Sequence, residues 1–137
     1  MTRKELKEQS FLDMAVDQSK LSRDETTKVG CVLVDTEGCV ISTGYNGAPM
    51  GIDDSRIDFS GKPFIASLSK TNEIFETTKN KYMIHSELSA LLLTDNRSRL
   101  KGATAYITHY PCNNCSLALA QSGIKKIHVL NNRTKSF

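Results

Sequence analysis

Residues 83–93 read MIHSELSALLL, and residues 103–123 read ATAYITHYPCNNCSLALAQSG. In the first stretch, Leu88, Leu91 and Leu92 have the i, i+3, i+4 spacing of a helix with a buried face. The second stretch begins with a short run typical of a strand, and a helical run follows Pro111 and ends at Gly123. The alternation of helix and strand favours an α/β fold.

The same alternation continues in the rest of the chain. The sequence predicts a helix over Glu5–Leu21, strands over Val29–Asp35 and Cys39–Tyr45 with a hairpin turn at 36–38, and a final strand over Lys126–Leu130. Residues 53–80 are polar and poorly periodic, which predicts a surface insertion with a short helix near Ala66–Phe75. We therefore expect a single domain over residues 1–137, a three-layer α/β/α sandwich whose mixed sheet joins an antiparallel hairpin to a parallel region.

Composition limits the classes of partner. The chain has 137 residues, enough for one substantial core, and no apolar run long enough to cross a membrane. Its charged N-terminus, from Met1 to Lys7, lacks the apolar segment of a signal peptide. The net charge of +3 is too small to argue for nucleic-acid binding, although it suits an anionic small substrate. Four cysteines, at least two of them suited to a metal, favour the reducing cytoplasm.

A metal-binding pattern joins the two quoted stretches. His85, Cys112 and Cys115 are nitrogen and sulfur ligands of the kind that zinc prefers, and the two cysteines share a helix face because they are three residues apart. Three protein ligands leave a fourth position for water, whose pKa zinc lowers to about 7. Glu87 follows the histidine by two residues and is placed to carry protons. The pattern predicts a catalytic zinc site.

Two other interpretations of the pattern remain open. A C-x-x-C pair on its own is also typical of a redox site. A structural zinc would need a fourth protein ligand, and the candidates are Cys31, Cys39, His109 and His128. The two cysteines lie in strand-like runs and are interpreted as buried apolar residues. His109 adjoins the second motif and stays a candidate ligand.

Three blocks of sequence resemble one known family. They are Thr27-Lys28-Val29-Gly30, the loop from Gly44 to Gly51, and the paired H-x-E and P-C-x-x-C motifs, which are the signature of zinc nucleobase deaminases. The chain resembles the cytidine-deaminase superfamily and, within it, the deoxycytidylate (dCMP) deaminases. The resemblance implies a five-stranded sheet, a catalytic Zn²⁺, and deamination of dCMP to dUMP with Glu87 as the proton carrier. It also implies a homohexamer that dCTP activates and dTTP inhibits, each with Mg²⁺.

Further residues are candidates for the site of such an enzyme because of their chemistry and their position in the sequence. Asn46 is expected to hydrogen-bond the sugar hydroxyl and Tyr110 to pack against the base. Arg23 and Lys28 are expected to contact the 5′-phosphate. Ser89 is a candidate substrate residue, although the family usually has asparagine there, as it usually has alanine at Ser86. The effector triphosphate is expected at a loop formed by Asn46, Gly47, Gly51, Asp53 and Asp54. The last helix and strand of the family are expected to be missing or reduced to residues 131–137.

Three other functions compete with this hypothesis. A tRNA adenosine deaminase shares the zinc chemistry but needs a clustered basic face, whereas the basic residues here are scattered. A deaminase of free cytidine usually offers no phosphate site. A zinc-stabilised binding module without catalysis would have no use for Glu87.

Overall fold

The structure is a computed structural model that describes residues 1–52, 55, 59, 65–68, 73–76, 83–131 and 133–137. Its helices are α1 (Arg3–Ser19), α2 (Ser86–Leu92) and α3 (Asn113–Gln121), with a short 3-10 helix at Arg97–Leu100. Its strands are β1 (Gly30–Val34), β2 (Val40–Tyr45), β3 (Ile65–Leu68), β4 (Glu73–Glu76), β5 (Thr104–Ile107), β6 (Lys126–Val129) and β7 (Arg133–Ser136). Within these ranges, no helix combines the length and the apolar character needed to cross a membrane.

The main sheet has five strands in the order β2-β1-β5-β6-β7. Strands β5 and β6 pair in parallel, and the other neighbours pair antiparallel. The predicted mixed sheet, with an antiparallel hairpin beside a parallel pair, is confirmed. Because β5 and β6 run in parallel, the chain must return between them, and α3 makes that crossover.

Alternate residues of β1 face two separate cores. Cys31 and Leu33 belong to the core that also contains Ala90 of α2 and Leu119 of α3. Val32 and Val34 belong to a second core, which α1 covers with residues such as Leu12 and Ala15. Since neighbouring side chains of a strand point to opposite faces, the sheet lies between two helical layers. The predicted three-layer sandwich is confirmed.

The buried face of α2 differs from the one predicted. Ser86, Glu87 and Ala90 are its buried residues, whereas Leu88 and Leu92 are 37% and 67% exposed. The reason is the close approach of the helix to β2, where a Cβ on Gly44 would lie 2.3 Å from the carbonyl oxygen of Ser86. Only small side chains fit between backbones this close, so the leucines are turned outward. Leu117 of α3 is likewise exposed.

One further prediction about secondary structure was wrong. Residues 65–68 and 73–76 form an antiparallel hairpin of β3 with β4 instead of a helix near Ala66–Phe75. The sequence has β-branched and aromatic residues in two short runs, which suits strands better than one helix. Residues 131–137, to which the last helix and strand of the family were expected to be reduced, contain one strand, since 133–136 pair with β6 as β7. Asn131, with φ of 73°, supplies the left-handed residue of the turn between them.

The turn of the β1–β2 hairpin is fixed by Asp35. Its Oδ1 accepts hydrogen bonds from the backbone N–H groups of Glu37 and Cys39, at 3.0 and 2.9 Å, and its Oδ2 lies 3.1 Å from Nη2 of Arg99. The bond from Cys39 is the largest of the effects that lower the pKa of Asp35. Cys39 itself, predicted to be buried, is exposed because it belongs to this turn.

Candidate active site

Two helices begin at the predicted metal ligands. His85 is the N-cap of α2 and Cys112 is the N-cap of α3, each with an extended backbone before the first helical residue. The Sγ atom of Cys112 accepts a hydrogen bond from the backbone N–H of Cys115 at 3.4 Å. The N-termini of both helices therefore face one point, and their positive dipole ends favour thiolate there.

The three ligand atoms are spaced as a tetrahedral zinc requires. Nδ1 of His85 lies 3.4 Å from Sγ of Cys112 and 3.4 Å from Sγ of Cys115, and all three atoms lie within 4.8 Å of one another. Bond lengths of about 2.3 Å to sulfur and about 2.0–2.1 Å to nitrogen would separate the nitrogen from each sulfur by about 3.6 Å. The donor set and the spacing fit Zn²⁺. Within the described residues this is the one group of its kind, and it does not include His109.

Glu87 lies beside this cluster and is only 3% exposed. The hydroxyl of Ser86, which is fully buried, donates a hydrogen bond to Oε1 of Glu87. Burial, followed by the negative charge of Glu87, raises the pKa of Cys115 well above its usual value, and the same two causes raise the pKa of Cys31. A divalent cation would offset this accumulation of negative charge and bind Cys115 as thiolate.

The metal cluster and Glu87 open into a cavity of about 480 Å³. This volume lies within the usual range for a small-molecule site, about 300–1,000 Å³. We call it the first cavity, and it is lined by Asp24, Thr26, Thr27, Val29, Asn46, His85, Ser86, Glu87, His109, Tyr110 and Cys112. The lining residues Ser86 and Glu87 are buried and form the floor of the first cavity, whereas Thr26, His109 and Tyr110 are exposed and lie at its rim.

Asn46 is buried and holds the segment before β1 in place. Its Oδ1 accepts from the backbone N–H of Val29 at 2.9 Å, and its Nδ2 donates to the carbonyl oxygen of Thr27 at 2.9 Å. Nδ2 also lies 3.5 Å from Oδ2 of Asp24, and the hydroxyl of Ser22 donates to the carbonyl oxygen of Asn46 at 2.8 Å. The side chain therefore shapes one wall of the first cavity.

Of the other predicted substrate residues, the structure places one in the lining of the first cavity. Tyr110 lines the first cavity, whereas Arg23 and Lys28 are absent from its lining. The guanidinium carbon of Arg23 lies 5.5 Å from the centre of the Phe59 ring. Ser89 lines a second cavity of about 440 Å³, on the outer side of the loop after β2.

The predicted effector residues that the structure describes do not share one cavity. Gly47 lines the second cavity, whereas Asn46 lines the first. Gly51 is exposed, with φ of 87°. Asp53 and Asp54 lie outside the described residues, so their assignment stays a prediction.

Sequence reasoning missed part of the first cavity. Asp24 is buried, and its Oδ1 accepts from the backbone N–H groups of Thr26 and Thr27 at 2.7 and 2.9 Å. An aspartate between a helix and a strand is a common sign of such a turn, and it could have been recognised. The burial of Ser86 and Glu87 has no such signal, because it depends on which face α2 turns toward the sheet.

Comparison with known proteins agrees with this geometry. The sequence profile of the cytidine and deoxycytidylate deaminase zinc-binding region matches residues 5–131. A probable deoxycytidylate deaminase of Caenorhabditis elegans is 38% identical over 127 residues, which are 93% of this chain and 58% of the worm protein. The deoxycytidylate deaminase of Enterobacteria phage T4 is 33% identical over 149 aligned positions, with 89% of this chain and 76% of the phage protein covered.

The fold has close structural counterparts. The crystal structure of dCMP deaminase from the cyanophage S-TIM5 has a TM-score of 0.67 at 24% sequence identity and covers 94% of this chain and 84% of the phage chain. The chain spans between 58% and 64% of the length of the animal relatives that it matches. The matched profile covers nearly the whole sequence, and the chain belongs to the cytidine and deoxycytidylate deaminase family defined by this zinc-binding region.

Proposed function

We propose that the protein catalyses the zinc-dependent hydrolysis of dCMP to dUMP and ammonia. The observation that carries the proposal is the burial of Glu87 in the cavity that also contains His85 and Cys112. A structural zinc site has no use for a buried carboxylate beside three ligands that lie within 4.8 Å of one another. The names of the worm and phage relatives support dCMP as the substrate.

The roles of the residues follow from their positions. Zinc held by His85, Cys112 and Cys115 would supply an acidified water beside Glu87. Glu87 takes a proton from the water whose oxygen attacks C4 and passes it to N3 of the cytosine. It then takes the second proton from the same oxygen and delivers it to the amine, so that the C4–N bond breaks, ammonia leaves and C4 keeps the oxygen as a carbonyl. Ser86 keeps Oε1 of Glu87 occupied by its hydrogen bond, so the other carboxylate oxygen is the one that exchanges protons.

Asn46 binds the sugar of the substrate as an acceptor. Both hydrogens of its Nδ2 have partners in Thr27 and Asp24, and Oδ1 has one partner, the N–H of Val29. A carbonyl oxygen has two lone pairs, so Oδ1 can accept one more hydrogen bond. The 3′-hydroxyl of dCMP supplies that hydrogen.

The test is a comparison of four substrates with the zinc-loaded protein. We expect ammonia from dCMP, with much lower rates from cytidine, dCTP and a tRNA anticodon stem. A dominant rate on cytidine or on the tRNA stem would identify one of the competing deaminases. Release of no ammonia from any of the four, with zinc bound, would leave the zinc-stabilised binding module as the function.

We also propose that the protein acts in the cytoplasm as a homohexamer. The support for assembly is the outward face of the two helices that begin at the cluster, where Leu88, Leu92, Leu93 and Leu117 are exposed. Sedimentation showing a monomer at micromolar concentration would contradict it.

Regulation by dCTP and dTTP with Mg²⁺ is part of the same proposal. It rests on the loop from Asn46 to Asp54, whose described residues lie between the first and second cavities. Turnover of dCMP should rise with dCTP and fall with dTTP, both in the presence of Mg²⁺. Turnover that responds to neither nucleotide would contradict it.

A further inference from the structure

His109 is the residue of the first cavity to which neither the metal cluster nor the proton transfer assigns a role. It lines the cavity and lies outside the group of three ligand atoms. It is also exposed at the rim, three residues before Cys112.

The ring of His109 is held by its neighbour. Nδ1 of His109 lies 2.8 Å from Oγ1 of Thr108. That hydroxyl oxygen accepts a hydrogen bond from the backbone N–H of Gly30 at 3.1 Å, and the backbone N–H of Thr108 donates to the carbonyl oxygen of Gly30 at 3.1 Å. Thr108 is therefore fixed to β1 at two points, and it fixes one nitrogen of the imidazole in turn.

The other ring nitrogen is left for a ligand. When the Thr108 hydroxyl donates to Nδ1, the neutral ring carries its hydrogen on Nε2. When Nδ1 donates to the hydroxyl in the imidazolium form, Nε2 also carries a hydrogen. In both of these states Nε2 is a donor, and an anion at Nε2 selects them over the neutral tautomer in which Nδ1 donates to Thr108 and Nε2 carries no hydrogen.

The depth of the cavity indicates which part of a substrate meets this donor. The reacting base must lie at the floor, beside Glu87 and the ligand cluster, so the group farthest from the base lies near the exposed rim. The rim residues Thr26, Thr27 and Tyr110 carry neutral hydroxyls. Among the described residues that line the first cavity and lie outside the metal cluster, His109 is the one that can carry a positive charge.

We propose that His109, oriented by Thr108, binds the phosphate monoester of the substrate and sets the preference for a nucleotide over a nucleoside. The inference rests on the proposed function and names a residue for one group of its substrate. It replaces the expectation that Arg23 and Lys28 meet the phosphate, because neither of them lines the first cavity.

The test compares dCMP with deoxycytidine for the zinc-loaded wild type and for His109→Ala, His109→Lys, Arg23→Ala and Lys28→Ala. Loss of a hydrogen bond to a charged group should lower kcat/KM for dCMP by about 10- to 100-fold in His109→Ala. The rate on deoxycytidine should change by less than about threefold, since that substrate has no phosphate. His109→Lys should restore much of the preference, because it returns a cation to the rim.

Binding of the products gives a readout that is independent of turnover. Calorimetry with dUMP and deoxyuridine should show the same selective loss of dUMP affinity in His109→Ala, with one zinc still bound per chain. Failure of the wild type to release ammonia would reject the proposed function, whereas the binding comparison would still decide the role of His109. Equal losses for dUMP and deoxyuridine, a loss of zinc in His109→Ala, or a selective loss in Arg23→Ala or Lys28→Ala instead would overturn the inference.

Discussion

The two cavities on either side of the loop after β2 have opposite character. The first contains the buried polar groups Asp24, Asn46 and Glu87, and it adjoins the metal cluster. The second, which includes Ile84 and Leu93, is lined mainly by apolar and backbone groups. Asn46 and Gly47 are adjacent in the chain but line different cavities. One short segment thus separates a site suited to chemistry from a more apolar surface, because Asn46 lines the first cavity while Tyr45 and residues 47–50 line the second.

The largest expected effect lies at the floor of the first cavity. Glu87→Gln should lower kcat for dCMP by about 10²–10⁴-fold, because the amide cannot exchange the proton. Zinc content and the thermal unfolding midpoint should stay close to those of the wild type, since the shape of the side chain is kept. Metal analysis and steady-state kinetics measure both quantities. If Glu87→Gln turned over dCMP within about tenfold of the wild-type rate, Glu87 would not be the group that transfers the proton.

The wall that divides the cavities should be the next most sensitive element. Asn46→Ala leaves the N–H of Val29 and the carbonyl of Thr27 without their partner. Both hydrogen bonds are part-buried, so the cost lies toward the lower end of the about 1–3 kcal/mol of a buried unsatisfied group. The free energy of unfolding, measured in urea, should fall by an amount of this order. Turnover of dCMP and the response to dCTP should both fall. If one were abolished and the other untouched, the substrate and effector sites would not share this loop.

A substitution beside the second cavity should affect assembly and leave the stability of the chain nearly unchanged. Leu92 is 67% exposed, so Leu92→Lys should leave the stability of the isolated chain nearly unchanged while it disrupts assembly. Sedimentation should show a smaller species than the wild type at the same concentration. Leu6→Lys is the matched control, because Leu6 is 51% exposed but lies on α1, on the other side of the sheet. If both variants sedimented like the wild type, the face at Leu92 would not be an interface.

A smaller effect should arise far from both cavities. His128 stacks on Tyr106 beneath α1, with ring centres 5.0 Å apart. Burial lowers the pKa of His128 below its usual 6.5, and Lys126 and Lys4 lower it further, while Glu8, whose Oε1 lies 3.9 Å from Nε2, opposes them. The folded chain therefore binds fewer protons here than the unfolded chain. The stabilisation is complete above the unfolded pKa and is lost as the pH falls through the folded pKa.

The corresponding experiment is urea unfolding between about pH 7.5 and about pH 5. Stability should decline on acidification in the wild type, and the decline should be shallower in His128→Gln. The lowered pKa of Asp35 acts in the same direction but at more acid pH, around its ordinary value of 3.8, and so does not mask the effect. If the free energy of unfolding of His128→Gln declined with falling pH as steeply as that of the wild type, the His128 ring would not control the pH dependence of stability.

The sequence alone determined most of the elements and the residues of the candidate metal cluster. The metal motif lies at two helix starts because His85 and Cys112 immediately precede helical runs, and local spacing is enough to reveal this. The hairpin of β1 with β2 was predicted from the turn residues at 36–38, and the order of elements predicted the parallel pair of β5 and β6. These features depend on residues close together in the chain, where propensity and periodicity act directly.

Only the tertiary structure decided how the elements face one another. The spacing of Leu88 and Leu92 predicts a buried stripe, but the backbone contact at Gly44 turns Ser86 and Glu87 inward instead. The same rotation buries the Ser86 hydroxyl together with Glu87 and leaves the two leucines exposed. The separation of Asn46 from Gly47 and the absence of Arg23 from the first cavity also depend on distant backbone. Periodicity predicts that a helix has two faces, but the space available at the neighbouring strand determines which one it buries.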